Sequence, residues 1–128
     1  MVRRPPHVAV HERRRGGEWR FDAALTKSRR TQVLNENFRA TFVGGQVVLT
    51  AGVADLWHEV KAQVQSFADF NANEDPYGEH DFGTFELAGE TFFWKIDHYD
   101  KDMTAGSKDP SDPEQTTRVL TIMFAGEY

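Results

Sequence analysis

Hydrophobic residues recur with two different periods along this chain, and the change of period predicts the order of the elements. From Ser28 to Phe42 apolar residues return at four-residue spacing, which is typical of an amphipathic helix. Ser28 is a suitable N-cap, and Gly44 with Gly45 provides a stop, because glycine accepts the left-handed backbone at a helix end. The predicted inward side chains are Val33, Leu34, Phe38 and Phe42. The predicted solvent-facing bases are Lys27, Arg29, Arg30 and Arg39.

A short strand and a second helix follow. Residues 46–51 (QVVLTA) are apolar and β-branched, which favours a buried strand. Asp55 is a suitable N-cap for a helix that reaches Phe67 or Phe70. Its predicted inward side chains are Leu56, Val60, Val64 and Phe67.

The pattern then changes to strict alternation, which predicts a β-hairpin over residues 82–97. Gly89-Glu90 suits a two-residue type II′ turn, because that turn takes glycine at its first position. The resulting register places Leu87 opposite Phe92, Phe85 opposite Trp94 and Asp81 opposite His98.

A last strand over residues 117–125 (TRVLTIMFA) is apolar on both faces, as in a central strand. Polar loops at residues 71–80 and 101–115 separate it from the preceding elements. The order helix, strand, helix and three strands predicts an α+β fold, with two helices on one face of a mainly antiparallel four-stranded sheet.

Chemistry-bearing side chains crowd the end of the hairpin opposite its turn. A carboxylate beside an imidazole fixes the tautomer and raises the basicity of the ring, so Asp81 and His98 are catalytic candidates. Arg118 returns to the same end if the last strand pairs antiparallel with the hairpin. His80, Asp81 and His98 are candidate metal ligands, but their spacing matches no metal or catalytic motif, and no cofactor is expected. A structural hydrogen bond explains the same residues.

Charge divides unevenly over the 128 residues, whose net charge is −5. Residues 1–65 carry 11 Lys and Arg against 6 Asp and Glu, whereas residues 66–128 carry 4 against 14. An acidic face on the second half would repel nucleic acid and attract a basic partner, although folding can also mix the two halves. The candidate partner-binding residues are Glu79, Asp97, Asp100, Asp102, Asp109 and Asp112.

The first 23 residues lack periodicity and are rich in arginine, which predicts a flexible basic arm before a single domain at residues 24–128. Such an arm can neutralise phosphates of nucleic acid. Cysteine is absent, which excludes disulfides and thiolate chemistry, and no run is apolar enough for a membrane span. A cytoplasmic protein is expected.

Four segments, GGQVVLTAGV, DPYGEHDFG, FFWKIDHYD and TTRVLTIMFAGEY, resemble the uncharacterised bacterial domain-of-unknown-function family 3768 over roughly residues 31–128. The resemblance implies a small stand-alone protein, often encoded near mobile elements, and brings no catalytic residues. The leading hypothesis is a non-enzymatic binding protein that inhibits a nucleic-acid-handling defence enzyme. The alternatives are a metal-assisted hydrolase centred on Asp81 and His98, and a nucleic-acid-binding accessory protein that uses the arm.

Overall fold

The computed structural model describes residues 19–127, with the exception of Ala72. Two helices and four strands account for most of its regular structure: α1 at Trp19–Thr41, β1 at Gly45–Leu49, α2 at Trp57–Gln65, β2 at Phe82–Leu87, β3 at Glu90–Tyr99 and β4 at Thr117–Phe124. Short 3₁₀ segments at Ala51–Leu56 and Ala125–Glu127 complete it. None of these described helices combines the length and apolar character that crossing a membrane requires.

The four strands form one sheet in the order β1-β4-β3-β2. The β2–β3 and β3–β4 pairs are antiparallel and the β1–β4 pair is parallel, so the sheet is mixed. The predicted α+β class, the hairpin and the position of the last strand beside β3 are therefore confirmed. Because β4 is central, it is apolar on both faces, as its sequence indicated.

Both helices pack on one face of this sheet. Phe38 of α1 and Val60 and Val64 of α2 are buried in the same cluster as alternate residues of β3 and β4. Trp94, at the centre of that cluster, has no exposed surface. The cluster consists of Phe38, Val53, Val60, Val64, Phe92, Trp94, Ile96, Leu120 and Ile122.

The helix boundaries differ from those predicted. Helix α1 begins at Trp19 rather than at Ser28, and beyond its last residue both Phe42, with φ of 63°, and Gly44, with φ of 112°, have positive φ. Helix α2 begins at Trp57 after the 3₁₀ segment and ends at Gln65, so Asp55 is not its N-cap. Residues 1–18 of the predicted arm lie outside the described residues, and the domain boundary after residue 23 stays a prediction.

The inward face of α1 also differs from the prediction. Val33 is 45% exposed, whereas Thr31, Asn35 and Arg39 are each no more than 5% exposed. Arg39 was expected in solvent; instead its guanidinium lies over the rings of Phe70 and Trp94, which favours burial of a delocalised cation. Burial lowers the pKa of Arg39. Helix α1 therefore presents a polar side to part of the sheet.

The hairpin turn lies one residue earlier than predicted. Leu87 pairs with Glu90, Phe85 with Phe92 and Gly83 with Trp94, so the turn residues are Ala88 and Gly89. Both have positive φ, 55° and 79°, as in a type I′ turn. Phe85 does not face Trp94 and Asp81 does not face His98: the backbone carbonyl of Asp81 accepts a hydrogen bond from the amide of Ile96 at 2.8 Å.

Candidate metal site at the open end of the hairpin

A buried polar cluster forms where α1 crosses the ends of β3 and β4. His98 and Arg118 face each other across these strands, as the antiparallel pairing predicted. Asn35 lies between them and is fully buried. Its Oδ1 accepts hydrogen bonds from Arg118 Nε at 2.7 Å and His98 Nε2 at 3.0 Å, while its Nδ2 donates to the carbonyl of Glu79 at 2.9 Å. Asn35 therefore joins three segments of the chain.

This cluster fixes the tautomer of His98. Asn35 Oδ1 is an acceptor here, because the amide nitrogen of Asn35 is used on Glu79. His98 Nε2 must therefore carry the proton, which leaves Nδ1 with its lone pair. Burial and the neighbouring Arg118 cation lower the pKa of His98 to about 4, although Asp97 opposes the shift. At neutral pH the ring is an uncharged base with an available nitrogen.

Arg118, a predicted catalytic candidate, is turned away from solvent. It is 3% exposed, and its guanidinium donates to Asn35 and to the carbonyl of Pro110 in the loop after β3. Burial lowers the pKa of Arg118, and the charge of Glu79 raises it. The geometry gives Arg118 a positioning role, since it holds Asn35 and thereby the ring of His98.

Glu79, Asp81 and His98 each bring one potential ligand atom to the same place. These three atoms lie within 4.8 Å of one another, and all three residues are half-buried. Glu79 and Asp81 come from the chain entering β2, and His98 comes from β3. The predicted meeting of Asp81 and His98 thus occurs, with Glu79 as a third member, although the register that was expected to produce it is wrong.

Like charges surround Asp81. Its pKa is raised mainly by burial, then by the carboxylates of Asp75 and Asp97, while its own backbone and His80 act in the opposite direction. Asp75 is 1% exposed, and its Oδ2 has no hydrogen-bond partner among the described residues. The nearest positively charged or titratable partners of these acids are Lys95 for Asp97 and the ring of His80, whose Nε2 lies 3.6 Å from Asp75 Oδ2, while the guanidinium of Arg118 donates to Asn35 and Pro110.

His80, a predicted candidate metal ligand, packs beside the cluster of Glu79, Asp81 and His98 and is not a member of it. Its ring stacks on Phe70 with centroids 3.8 Å apart, and its Nδ1 donates to Glu36 of α1. Its backbone amide donates to Asp75 Oδ1 at 3.1 Å. The backbone of His80 is left-handed, with φ of 56°, an uncommon conformation for a residue other than glycine. These contacts hold the segment that carries Glu79 and Asp81.

Most predicted partner-binding acids are used in local structure. Asp97 pairs with Lys95 at 2.6 Å, and the side chain of Asp100 accepts the amide of Thr104. Asp109 accepts from Ser111, which lowers its pKa, and Asp112 accepts from the amide of Glu114. Asp102 is exposed, whereas Glu79 belongs to the cluster with His98. Asp100, Asp109 and Asp112 thus stabilise the loop between β3 and β4, and a partner-binding role of the predicted acids stays a prediction.

Sequence reasoning missed Asn35 and Asp75. A signal for Asn35 was available, because residues 31, 35, 38 and 42 share helical spacing and the two polar ones lie on the inward side. Asp75 precedes Pro76 in a polar loop, where an aspartate is ordinarily a turn residue. Only the tertiary structure places its carboxylate beside Asp81.

The family of this chain follows from a match to a known sequence family. The model of the family described as "Protein of unknown function (DUF3768)" matches residues 47–127, and the chain belongs to that family. The match begins within β1 and covers α2, β2, β3 and β4, together with Glu79, Asp81, His98 and Arg118, but leaves out α1 and Asn35. Searches of curated proteins and of solved structures found no match.

Proposed function

We propose that this protein binds a divalent cation through Glu79, Asp81 and His98 and uses it to activate water, as a small metal-dependent hydrolase. The observation that carries the proposal is the convergence of the three ligand atoms within 4.8 Å. Three protein ligands leave coordination positions for water and substrate, which is the arrangement of catalytic rather than structural metal sites.

The donor chemistry supports this proposal. Two carboxylates and one imidazole suit Zn²⁺, Mn²⁺ and related ions. His98 does not have to lose a proton at neutral pH, because its pKa is about 4. Its Nε2–H donates to Asn35, which is the second hydrogen bond that orients a metal-binding imidazole. A divalent ion lowers the pKa of its bound water and so supplies a nucleophile near neutral pH.

The electrostatics favour a cation at the same place. Asp75 and Asp97 repel the ionised form of Asp81, and burial adds to that penalty. An ion bound between Glu79 and Asp81 would offset this repulsion. The buried Asp75 Oδ2, which lacks a hydrogen-bond partner among the described residues, adds negative charge behind the ligands.

The other two functions expected from the sequence draw less support from the geometry. For an inhibitor with an acidic face, the observation is that Asp100, Asp109 and Asp112 accept hydrogen bonds inside one loop, which accounts for these acids without a partner. A nucleic-acid-binding role relies on the basic arm, whose first 18 residues lie outside the described part of the chain. Both stay predictions.

The proposal is tested by adding Mn²⁺ or Zn²⁺ to metal-free protein and measuring the melting temperature. A ligand at a hundred times its dissociation constant stabilises the folded state by about 2.7 kcal/mol, on the order of 10 °C for a domain of this size. Asp81→Asn and His98→Ala should each remove the shift. Asp97→Asn is the matched control: it also removes one negative charge, but its side chain pairs with Lys95, and the shift should persist.

Hydrolysis is tested with the same proteins. Metal-loaded protein should hydrolyse members of a panel of p-nitrophenyl esters and phosphates, and Asp81→Asn should lose that activity while staying folded. Asp81→Asn removes a carboxylate that its neighbours repel, so its metal-free form should be at least as stable as the parent protein. Metal binding that is unchanged in both Asp81→Asn and His98→Ala would contradict the proposed site.

A further inference from the structure

Strand β2 is an edge of the sheet. Its pairing with β3 shows which of its residues direct their backbone N–H and C=O groups to β3 and which direct them outward. Its neighbour on one side is β3, and no described strand lies on the other side. The hydrogen bond from Ile96 to the carbonyl of Asp81 and the pairing of Leu87 with Glu90 show that odd-numbered residues direct their backbone groups to β3. Phe82, Thr84 and Glu86 therefore direct their N–H and C=O groups outward.

A groove of about 530 Å³ follows this open edge. One wall is the end of α2 with the residues after it, and the other is β2 near its turn. Phe67 and Phe85 are half-buried in it; Phe67 packs edge-on against Trp94, and Phe85 stacks on Phe92. The complete lining is Gln63, Ser66, Phe67, Ala68, Asp69, Thr84, Phe85, Glu86 and Thr91.

The charged side chains that line the groove are all acidic. Asp69 and Glu86 are both exposed on its walls, and the lining contains no lysine or arginine. Natural edge strands are usually protected by lysine, proline or a bulge. Strand β2 (FGTFEL) has neither lysine nor proline, and its pairing with β3 runs without a bulge. The open backbone edge, the two half-buried phenylalanine rings and the two acidic side chains therefore lie together.

We propose that this groove binds an extended basic segment of a partner protein, which adds to the sheet as a fifth strand beside β2. Main-chain hydrogen bonds to Thr84 and Glu86, the outward-directed residues that line the groove, supply affinity, as in other cases of strand addition. Aliphatic side chains on the helix-facing side of the segment contact Phe67 and Phe85, lysine or arginine side chains on its other face lie beside Glu86, and a basic residue at the end of the segment reaches Asp69. This surface is separate from Glu79, Asp81 and His98, so the proposal is independent of metal binding.

The test uses metal-free, full-length protein and a fluorescein-labelled peptide of alternating lysine and valine. Fluorescence polarisation should show binding that weakens as salt rises, while the peptide with glutamate in place of lysine should not bind. Glu86→Lys and Asp69→Lys should each weaken binding by about tenfold or more. Glu90→Lys is the matched control, because Glu90 is equally exposed on the hairpin but lies outside the groove.

Two further measurements test strand addition itself. Two peptides are methylated on alternate backbone nitrogens, one in each phase, and the one whose methyl groups replace the N–H donors directed at β2 should lose affinity. Amide resonances of Thr84 and Glu86 should shift on binding, whereas those of Gln46 and Val48 on the opposite edge strand should not. Equal loss of affinity in Glu90→Lys, unchanged binding of both methylated peptides, or shifts confined to β1 would each overturn the proposal.

Discussion

At the scale of single residues, the side chain of Asn35 connects the segments that form the candidate site. It satisfies Arg118 and His98 with one oxygen and the carbonyl of Glu79 with its nitrogen. No ionic partner within salt-bridge distance compensates Arg118 among the described residues, so its burial depends on hydrogen bonds to Asn35 and to Pro110. Alternation and helical periodicity predict which side of an element faces inward, but they do not predict that a polar residue is required there.

Asn35→Ala should therefore destabilise the protein strongly. It removes three hydrogen bonds and leaves a buried guanidinium with fewer acceptors, for which we expect a loss of about 3 kcal/mol in the free energy of unfolding. Urea denaturation measures that loss. Asn37→Ala is the control on the same helix, since Asn37 is exposed, and it should change stability by no more than about 0.5 kcal/mol. Equal effects of the two substitutions would show that Asn35 does not hold the cluster.

At the scale of elements, the hairpin shows which information the sequence carries. Alternation correctly assigned Phe85, Phe92 and Trp94 to one face. It could not set the register, because a shift of two residues returns every side chain to the same face. The turn decides the register, and Gly89 fits either the predicted Gly89-Glu90 turn or the observed Ala88-Gly89 turn. Alternation therefore predicted the faces correctly, whereas the wrong choice of turn produced the incorrect pairing of Asp81 with His98.

The turn assignment predicts the effect of Ala88→Asn. Ala88 has φ of 55°, where an ordinary L-residue is disfavoured and asparagine is tolerated. We expect the free energy of unfolding to rise by about 0.5–1 kcal/mol, measured by chemical denaturation. If the turn were Gly89-Glu90, residue 88 would continue the strand, and asparagine there would destabilise the hairpin. A decrease in stability would thus favour the register that the sequence suggested.

At the scale of the whole molecule, the order of elements predicted the layers but not how the two charged halves meet. Nζ of Lys27, in the basic half, lies 3.5 Å from Oδ2 of Asp109 in the acidic half. Arg30 donates a hydrogen bond to the hydroxyl of Ser111 in the same loop. Folding thus brings bases of α1 beside the acidic loop, which is the mixing that the charge division left open. The positions of charged residues along a sequence do not show where these residues lie in space until the topology is known. The sequence alone therefore could not establish an acidic face.

The free energy of unfolding should depend on pH because His98 has a lowered pKa in the folded chain. Its pKa is about 4 in the folded chain against an ordinary 6.5, so between these values the unfolded chain takes up a proton that the folded chain does not. The stability that neutral His98 contributes is therefore fully present above pH 6.5 and is lost as the pH falls toward 4. The difference corresponds to about 3 kcal/mol.

Chemical denaturation of metal-free protein at several pH values tests this prediction against His98→Gln, whose amide can still donate to Asn35. Asp81, whose pKa is raised, acts in the opposite direction: a carboxyl group that binds its proton more tightly when folded gains stability as the pH falls. Asp81 is present in both proteins and opposes the trend in each. The advantage of the parent protein over His98→Gln should shrink steadily from pH 6.5 to pH 4, whereas exchange of the exposed His58 for glutamine should not reproduce this trend. A difference that stays constant with pH would show that His98 is not held as a neutral, buried base.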